Sequence, residues 1–290
     1  MIKNLLFISI FSALLIGCKQ DDITPSWLAI EEFTLTTNEA TQGANSQGIS
    51  DAWIFMDGTA LGVFELPCKL PVLDEGTHNF IIFPGIKNNG ISSTRIRYPF
   101  YNSYQVEASL ALNDTLHLSP NTTYKSETIF AFNEAFEEPG IGFIKGPTSD
   151  TDMVFVDDPA IVEYGDECGA IFLAGTDSLY TGSTTSFMVL PKGGADVYME
   201  LDYRNNNSLA MGVIARFADG SVDEHTPYII MNAQPDGQEV WKKIYIDLTE
   251  DVSTEIAAVS YEIFFLAVRD GEIDESRIYI DNVKVVHLEE

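Results

Sequence analysis

Three cysteines, four histidines and 44 acidic residues carry the chemically active groups of this 290-residue chain. A glycoside hydrolase needs two carboxylates at a set separation across a cleft, and among so many acids no pair is singled out by its neighbours. There is no GxSxG, no Ser/His/Asp order with local support and no phosphate-cradling loop; "PKGGAD" has paired glycines without a strand-to-helix context. Cys18, Cys68 and Cys168 form no CxxC, and His78, His117, His225 and His287 are scattered, which argues against a zinc site. "DTDMVFVDD" lacks the glycine and terminal glutamate of an EF-hand loop. The chemistry on offer is binding rather than catalysis, and the chain is expected not to be an enzyme.

One stretch stands out for binding. In "STRIRYPFYNSYQVEASL", Arg95 and Arg97 stand beside Tyr98, Phe100, Tyr101 and Tyr104, in a chain with only 16 basic residues. Tyrosine and arginine are enriched at protein-binding hot spots, and flat rings also stack on sugars. The alternative is a loop packed on its own domain with the arginines paired to nearby acids. The net charge of −28 and pI near 4.2 repel phosphate backbones and anionic membrane surfaces, so nucleic acid is not an expected partner. The acids are dispersed, which reads as a solvated, salt-tolerant surface with a capacity for cations.

The start of the chain has its own logic. Met1-Ile2-Lys3-Asn4 precedes an apolar run from Leu5 to Ile16, the layout of a secretory signal and too short to span a bilayer. It ends in Leu15-Ile16-Gly17-Cys18, which resembles the lipobox of bacterial lipoproteins. The resemblance implies cleavage before Cys18 and lipidation of its sulfur and new amino group. Each buried CH2 of an acyl chain then contributes roughly 0.8 kcal/mol to membrane attachment. Lys19-Gln20-Asp21-Asp22 is similar to the surface-display signal of Bacteroidota lipoproteins, with Gln20 separating the lysine from the acids. The implied location is the outer membrane, lipid-anchored and facing the exterior, with residues 18–26 as tether. In such an exported protein Cys68 and Cys168 could pair; standing 100 positions apart in different domains, they are expected instead as two isolated buried thiols.

The elements that must position these groups read as strands. Short β-branched and aromatic runs recur between Gly, Pro, Asn and Asp turns, among them Ala52–Met56, Asn79–Phe83, Val197–Leu201, Lys243–Ile246 and Ile278–Ile280, the pattern of an all-β protein. We expect two β-sandwich domains, at 27–127 and 128–290. In the first, Asp57-Gly58 predicts a tight hairpin turn. The order of strand, "DG", "LGVF", prolines and "EGTHNF" resembles PEGA-type repeats, which implies a structural or adhesive module. The second opens with "FNEAFEEPGIGF" and closes with "SRIYIDNVKVVHLEE". These termini resemble the jelly-roll family of galactose-binding-like and carbohydrate-binding modules, and "EVWKKIYIDLT", with Trp241, resembles one of its strands. The resemblance implies first and last strands brought together, and a structural calcium ion held by Glu137 and Asp281, with Glu134 a weaker third ligand.

These readings converge on a non-catalytic surface lipoprotein that acts as a protein-interaction or accessory subunit of an envelope machine. The alternative is a glycan-binding lipoprotein that captures polysaccharide, with Tyr203 and Trp241, or the Tyr98–Tyr104 group, as sugar contacts. That alternative requires aromatic faces open to solvent; the interaction reading requires an exposed apolar patch.

Overall fold

Successive side chains leave opposite faces of each strand; the strands Cys68–Val72 and Tyr104–Leu110 alternate between more buried and more exposed positions, while Val197–Asn205, Leu209–Phe217 and Glu275–Leu288 are buried on both faces. The computed structural model describes residues 24–224 and 229–289; the signal-like run, Cys18 and the tetrapeptide behind it lie outside the described residues. The first module comprises β1 (Ser26–Ile30), β2 (Thr34–Thr36), the short helix α1 (Glu39–Gln42), β3 (Asp51–Met56), β4 (Thr59–Glu65), β5 (Cys68–Val72), β6 (Gly76–Lys87), β7 (Arg95–Arg97), β8 (Tyr104–Leu110), β9 (Thr115–Leu118) and β10 (Asn121–Thr123). A sheet ordered β4-β3-β6-β7, with β8 also on β6, faces the sheet β5-β1-β9, and β10 pairs β2. Asp57 and Gly58, at φ +50° and +79°, turn β3 into β4 as the hairpin sequence requires.

The second module comprises β11 (Thr128–Glu134), β12 (Phe143–Lys145), β13 (Met153–Val156), β14 (Cys168–Ala174), β15 (Leu179–Thr184), β16 (Val197–Asn205), β17 (Leu209–Phe217), β18 (Val222–Glu224), β19 (Ile229–Met231), β20 (Lys242–Asp247), α2 (Thr249–Thr254), β21 (Ala258–Val268) and β22 (Glu275–Leu288). One sheet runs β13-β14-β22-β16-β20, with β11 on β22; the other runs β12-β15-β21-β17-β18, with β19 on β17. The protein is all-β, and this half is a jelly roll. Its first and last strands pair antiparallel, from Thr128 opposite Leu288 to Glu134 opposite Val283. No helix among the described residues is long and apolar enough to cross a membrane.

The two modules share a core. Along β16, Val197, Met199 and Leu201 point into the jelly roll, while Tyr198, Glu200 and Asp202 leave by the opposite face. That outer face is not solvated. Tyr198, Tyr245 and Val286 join Leu28, Ile54, Phe80 and Ile82 of the first module in one buried apolar cluster. Cys68 is half-buried and Cys168 fully buried, and both are free thiols; burial pushes the Cys168 thiol up to about 12.

Candidate functional site

The arginine-aromatic stretch builds the seam between the modules rather than an open platform. Tyr98, Phe100 and Tyr101 are 3, 0 and 2% exposed and offer no ring face to a ligand, which corrects their assignment as binding residues. Their physical role is packing: Tyr98 sits edge-on to Tyr101 at 4.7 Å and to Tyr198 at 5.5 Å, arrangements that favour the ring quadrupole. Tyr104 is half-buried against the first module's core. Arg95 pairs with Asp51 and, at 3.6 Å, with Glu65. Arg97 lies over the Phe83 and Trp53 rings at 4.8 and 5.6 Å.

Beneath the tyrosines runs a buried charged seam that the sequence did not single out. Glu200, fully buried, accepts from Tyr98 at 2.7 Å and Tyr124 at 2.8 Å, and lies 3.4 Å from Lys243. Asp202 accepts from Ser46 at 2.6 Å and stands 3.7 Å from the same lysine. Burial works against the Lys243 charge, and the Asp202 and Glu200 carboxylates overcome it and raise its pKa. Lys284, also fully buried, is driven the other way, down to about 8, by burial and by the Lys243 charge. Lys243 is paired with the two carboxylates, while the Lys284 ammonium donates to the Ala44 carbonyl at 3.4 Å and lies 5.6 Å from the Tyr124 ring centroid, so the seam's contacts tie the modules together.

Two hollows flank this seam. The first, of about 510 Å3, is lined by Glu39, Gly43, Ala44 and Asn45 of the first module and by Glu137, Glu163, Tyr164, Asp166, Asp281 and Asn282 of the second. It brings together two of the three residues expected to hold calcium. Glu137 accepts from the Asp166 amide at 2.8 Å, which requires the loop to pass close by: a Cβ on Gly165, at φ +68°, would fall 1.8 Å from the Glu137 carboxylate. Asp281 is 1% exposed, and its Oδ2 has no hydrogen-bond partner; burial pushes its carboxyl up to about 8. Glu134, by contrast, accepts from the Phe136 amide at 2.7 Å and the Gly142 amide at 2.5 Å. It ties down the turn after β11 and leaves the ligand set. Among the described residues no three His, Cys, Asp or Glu side chains converge on one metal position. The Glu137–Asp281 cradle fits a hard cation only with backbone carbonyls or water completing the six to eight oxygens that calcium takes.

The second is a cleft on the opposite side, formed by two adjoining hollows of about 510 and about 400 Å3 that share Gly90, Tyr203, Lys242 and Ile244. Its first wall is the turn after β6. There Asn89 and Gly90 adopt φ +55° and +69°, and a Cβ on Gly90 would press to 3.1 Å from Ile244. The turn is fastened to the edge of β20: the Asn89 amide donates to the Tyr245 carbonyl at 2.9 Å, and its side chain accepts from the Asp247 amide at 2.8 Å. The opposite wall is residues 229–235. Between them stands Tyr203, half-buried, directly across from Lys242 in the β16–β20 pair, so both side chains leave one face of the sheet. Burial raises the Tyr203 phenol.

Of the expected sugar contacts, Tyr203 lines this cleft. Trp241 does not join it. Its indole donates to the Ile161 carbonyl at 2.7 Å and packs with Cys168, Ala170 and Tyr279, pinning the loop ahead of β14. The signals for the cleft that sequence reading passed over are the Asn89-Gly90 turn and the Lys242-Lys243 pair.

No family model matches the chain, and no curated protein matches it. Solved structures do. A carbohydrate-binding module of the β-sandwich superfamily aligns at 14% identity over 83% of this chain and 87% of its own, with TM-score 0.36. A xylan-binding domain of carbohydrate-binding family 22 aligns at 11% identity over 55% of this chain and 95% of its own, with TM-score 0.38. The enzymatically active domain of bacteriophage CBA120 tailspike protein 4 aligns at 10% identity and TM-score 0.37 over 50% of this chain, which covers only 19% of that one. At these values neither ligand nor activity passes to this chain.

Proposed function

We propose that this protein is a non-catalytic glycan-binding lipoprotein of the cell surface, holding saccharide in the cleft between its modules. The observation that carries the reading is the half-buried Tyr203 ring lining that cleft, with Lys242 its cross-strand neighbour on the same wall. Binding sites for small polar ligands combine an apolar wall with a few convergent polar groups; here Ile91, Ile230 and Tyr203 supply the wall and Asn232 and Lys242 the polar groups. The lipid on Cys18 would hold the protein at the outer membrane, and the Glu137–Asp281 pair would hold calcium as a structural ion at the far side of the seam. Affinity electrophoresis of the mature chain through polysaccharide-loaded gels tests the binding. Retardation that disappears in Tyr203→Ala supports the reading, and migration unaffected by any polysaccharide rejects it.

A specific observation also favours the interaction-subunit reading. Phe187, Val189, Ile256 and Val259 are 60, 76, 80 and 52% exposed. Their two segments are brought side by side by the Met188–Tyr261 bridge and by Lys192, which donates to the Ile256 carbonyl at 2.8 Å. Exposed apolar groupings of this kind mark docking surfaces when contiguous. Affinity purification from detergent-extracted membranes separates the readings: a co-purifying envelope complex lost in Val189→Asp supports docking, and recovery of free lipoprotein alone counts against it.

A further inference from the structure

Acids outnumber basic residues 44 to 16 in this chain, yet none is among the described residues that line the Tyr203 cleft. Three lysines are: Lys87, Lys242 and Lys243. The hollow on the other side of the seam has the opposite lining, with Glu39, Glu137, Glu163, Asp166 and Asp281. Charge is therefore sorted between the two sides of the module junction.

The three ammonium groups are not equally free. Lys243 is spent on Glu200 and Asp202 at 3.4 and 3.7 Å. Lys87 is 3.8 Å from Glu65, with its side chain 38% exposed, a loose pair worth little in water. Lys242 is exposed and has no ion-pair partner among the described residues. The cleft thus offers one unpaired cation beside an aromatic ring, with a second, weakly held cation arriving from the first module.

We infer that the ligand of this cleft is an acidic saccharide, a pyranose carrying a carboxylate or a sulfate, with its ring against Tyr203 and its anionic group at Lys242 and Lys87. The inference rests on the glycan reading above and adds the charge class. The protein's large negative charge does not forbid it. Salt screens the protein's dispersed exposed acids beyond about 8 Å at physiological ionic strength, whereas an anionic group bound in the cleft meets the ammonium groups at contact distance, where no acid lines the walls. A neutral sugar would leave Lys242 no better placed than in water. A carboxylate or sulfate gains a charge-assisted hydrogen bond, roughly twice as strong as a neutral one.

Titration calorimetry of the full mature protein with three probes decides the matter: oligogalacturonides, sulfated galactan oligosaccharides and neutral galacto-oligosaccharides. The expected result is binding of one acidic series at least about tenfold tighter than the neutral one, weakening as salt is raised. Lys242→Gln, an exposed substitution with an unaltered melting curve, is expected to lower that acidic affinity about tenfold. Whichever acidic series binds identifies carboxylate or sulfate as the recognised group. Equal affinity for neutral and acidic probes, or acidic binding indifferent to Lys242→Gln, overturns the charge inference while leaving the glycan reading standing. Binding of none of the three probes, with no polysaccharide retarding the protein in gels, removes both.

Discussion

Tyr98 of the first module donates a 2.7 Å hydrogen bond to Glu200 in β16 of the second, and both side chains are shut off from solvent. Tyr124 reaches the other carboxylate oxygen at 2.8 Å, and Lys243 stands 3.4 Å away. A hydrogen bond to a buried charge contributes about 1.5–3 kcal/mol, whereas stripping a buried charge of its counter-ion costs about 3–5 kcal/mol. Urea denaturation is expected to rank Lys243→Met as the costlier change and Tyr98→Phe as the milder one. Equal, small losses for both would mean that water reaches the seam and that the modules are held by apolar contact alone.

A pH-dependent pair links the β3–β4 turn to β6. His78 Nδ1 lies 2.7 Å from Asp57, and the hydrogen bond to that carboxylate raises the imidazole above its usual 6.5. Asp57 is lowered below its usual 3.8, first by the Asn79 amide and then by His78. The folded state therefore keeps the imidazole proton at pH values where the unfolded chain has released it. The stabilisation is complete below pH 6.5 and is lost as pH rises through the raised value. It is also lost at the acid end, as pH falls through the lowered Asp57 value. Thermal melts of wild type and His78→Gln are expected to converge as pH climbs from about 6 to about 9. A constant gap across that range would show that the histidine acts by packing on Phe80 rather than by charge.

How much of this was legible follows from how local each signal is. The Asp57-Gly58 turn and the strand runs follow from turn chemistry and from β-branched and aromatic runs within a few residues, and the structure has them where the sequence places them. The fate of Tyr98, Phe100 and Tyr101 was not legible, because an exposed sugar platform and a buried seam use the same residue types; what differs is the sheet that covers them, 100 positions further on. Glu200 and Asp202 alternate with apolar neighbours as solvent-facing residues do, and nothing nearby announces that another module lies over them. Lys242 and Lys243 make the same point within two positions. Adjacent residues on a strand face opposite ways, so one lysine enters the cleft and the other the seam.

Thiol chemistry checks the burial of Cys168. With its side chain fully enclosed and its pKa pushed up to about 12, almost no thiolate is present at neutral pH, and the thiolate is the reactive form. Half-buried Cys68, raised by burial as well, is expected to react slowly with a disulfide reagent in the native protein, and Cys168 only on unfolding. In the non-lipidated chain lacking residues 1–23, native titration should count one slow thiol and denatured titration two. Two thiols reacting natively at similar rates would contradict the packing of Cys168 beneath Tyr279.

Calcium is the last test, and it separates residues that look alike in sequence. Glu134 and Glu137 stand at and just past the end of β11 and Asp281 stands mid-way along β22, but Glu134 is saturated by two backbone amides while Asp281 keeps a buried oxygen without a partner. A ligand that binds only the folded state stabilises it by about 2.7 kcal/mol at roughly 100 times its Kd. Saturating calcium is therefore expected to raise the melting temperature of the wild type. Asp281→Asn and Glu137→Gln should abolish that rise, while Glu134→Gln should melt lower yet keep it, because its carboxylate serves the turn at Phe136 and Gly142. A wild type indifferent to calcium and to chelator alike would leave the cradle as a solvated acidic hollow, with Asp281 holding its proton in place of a cation.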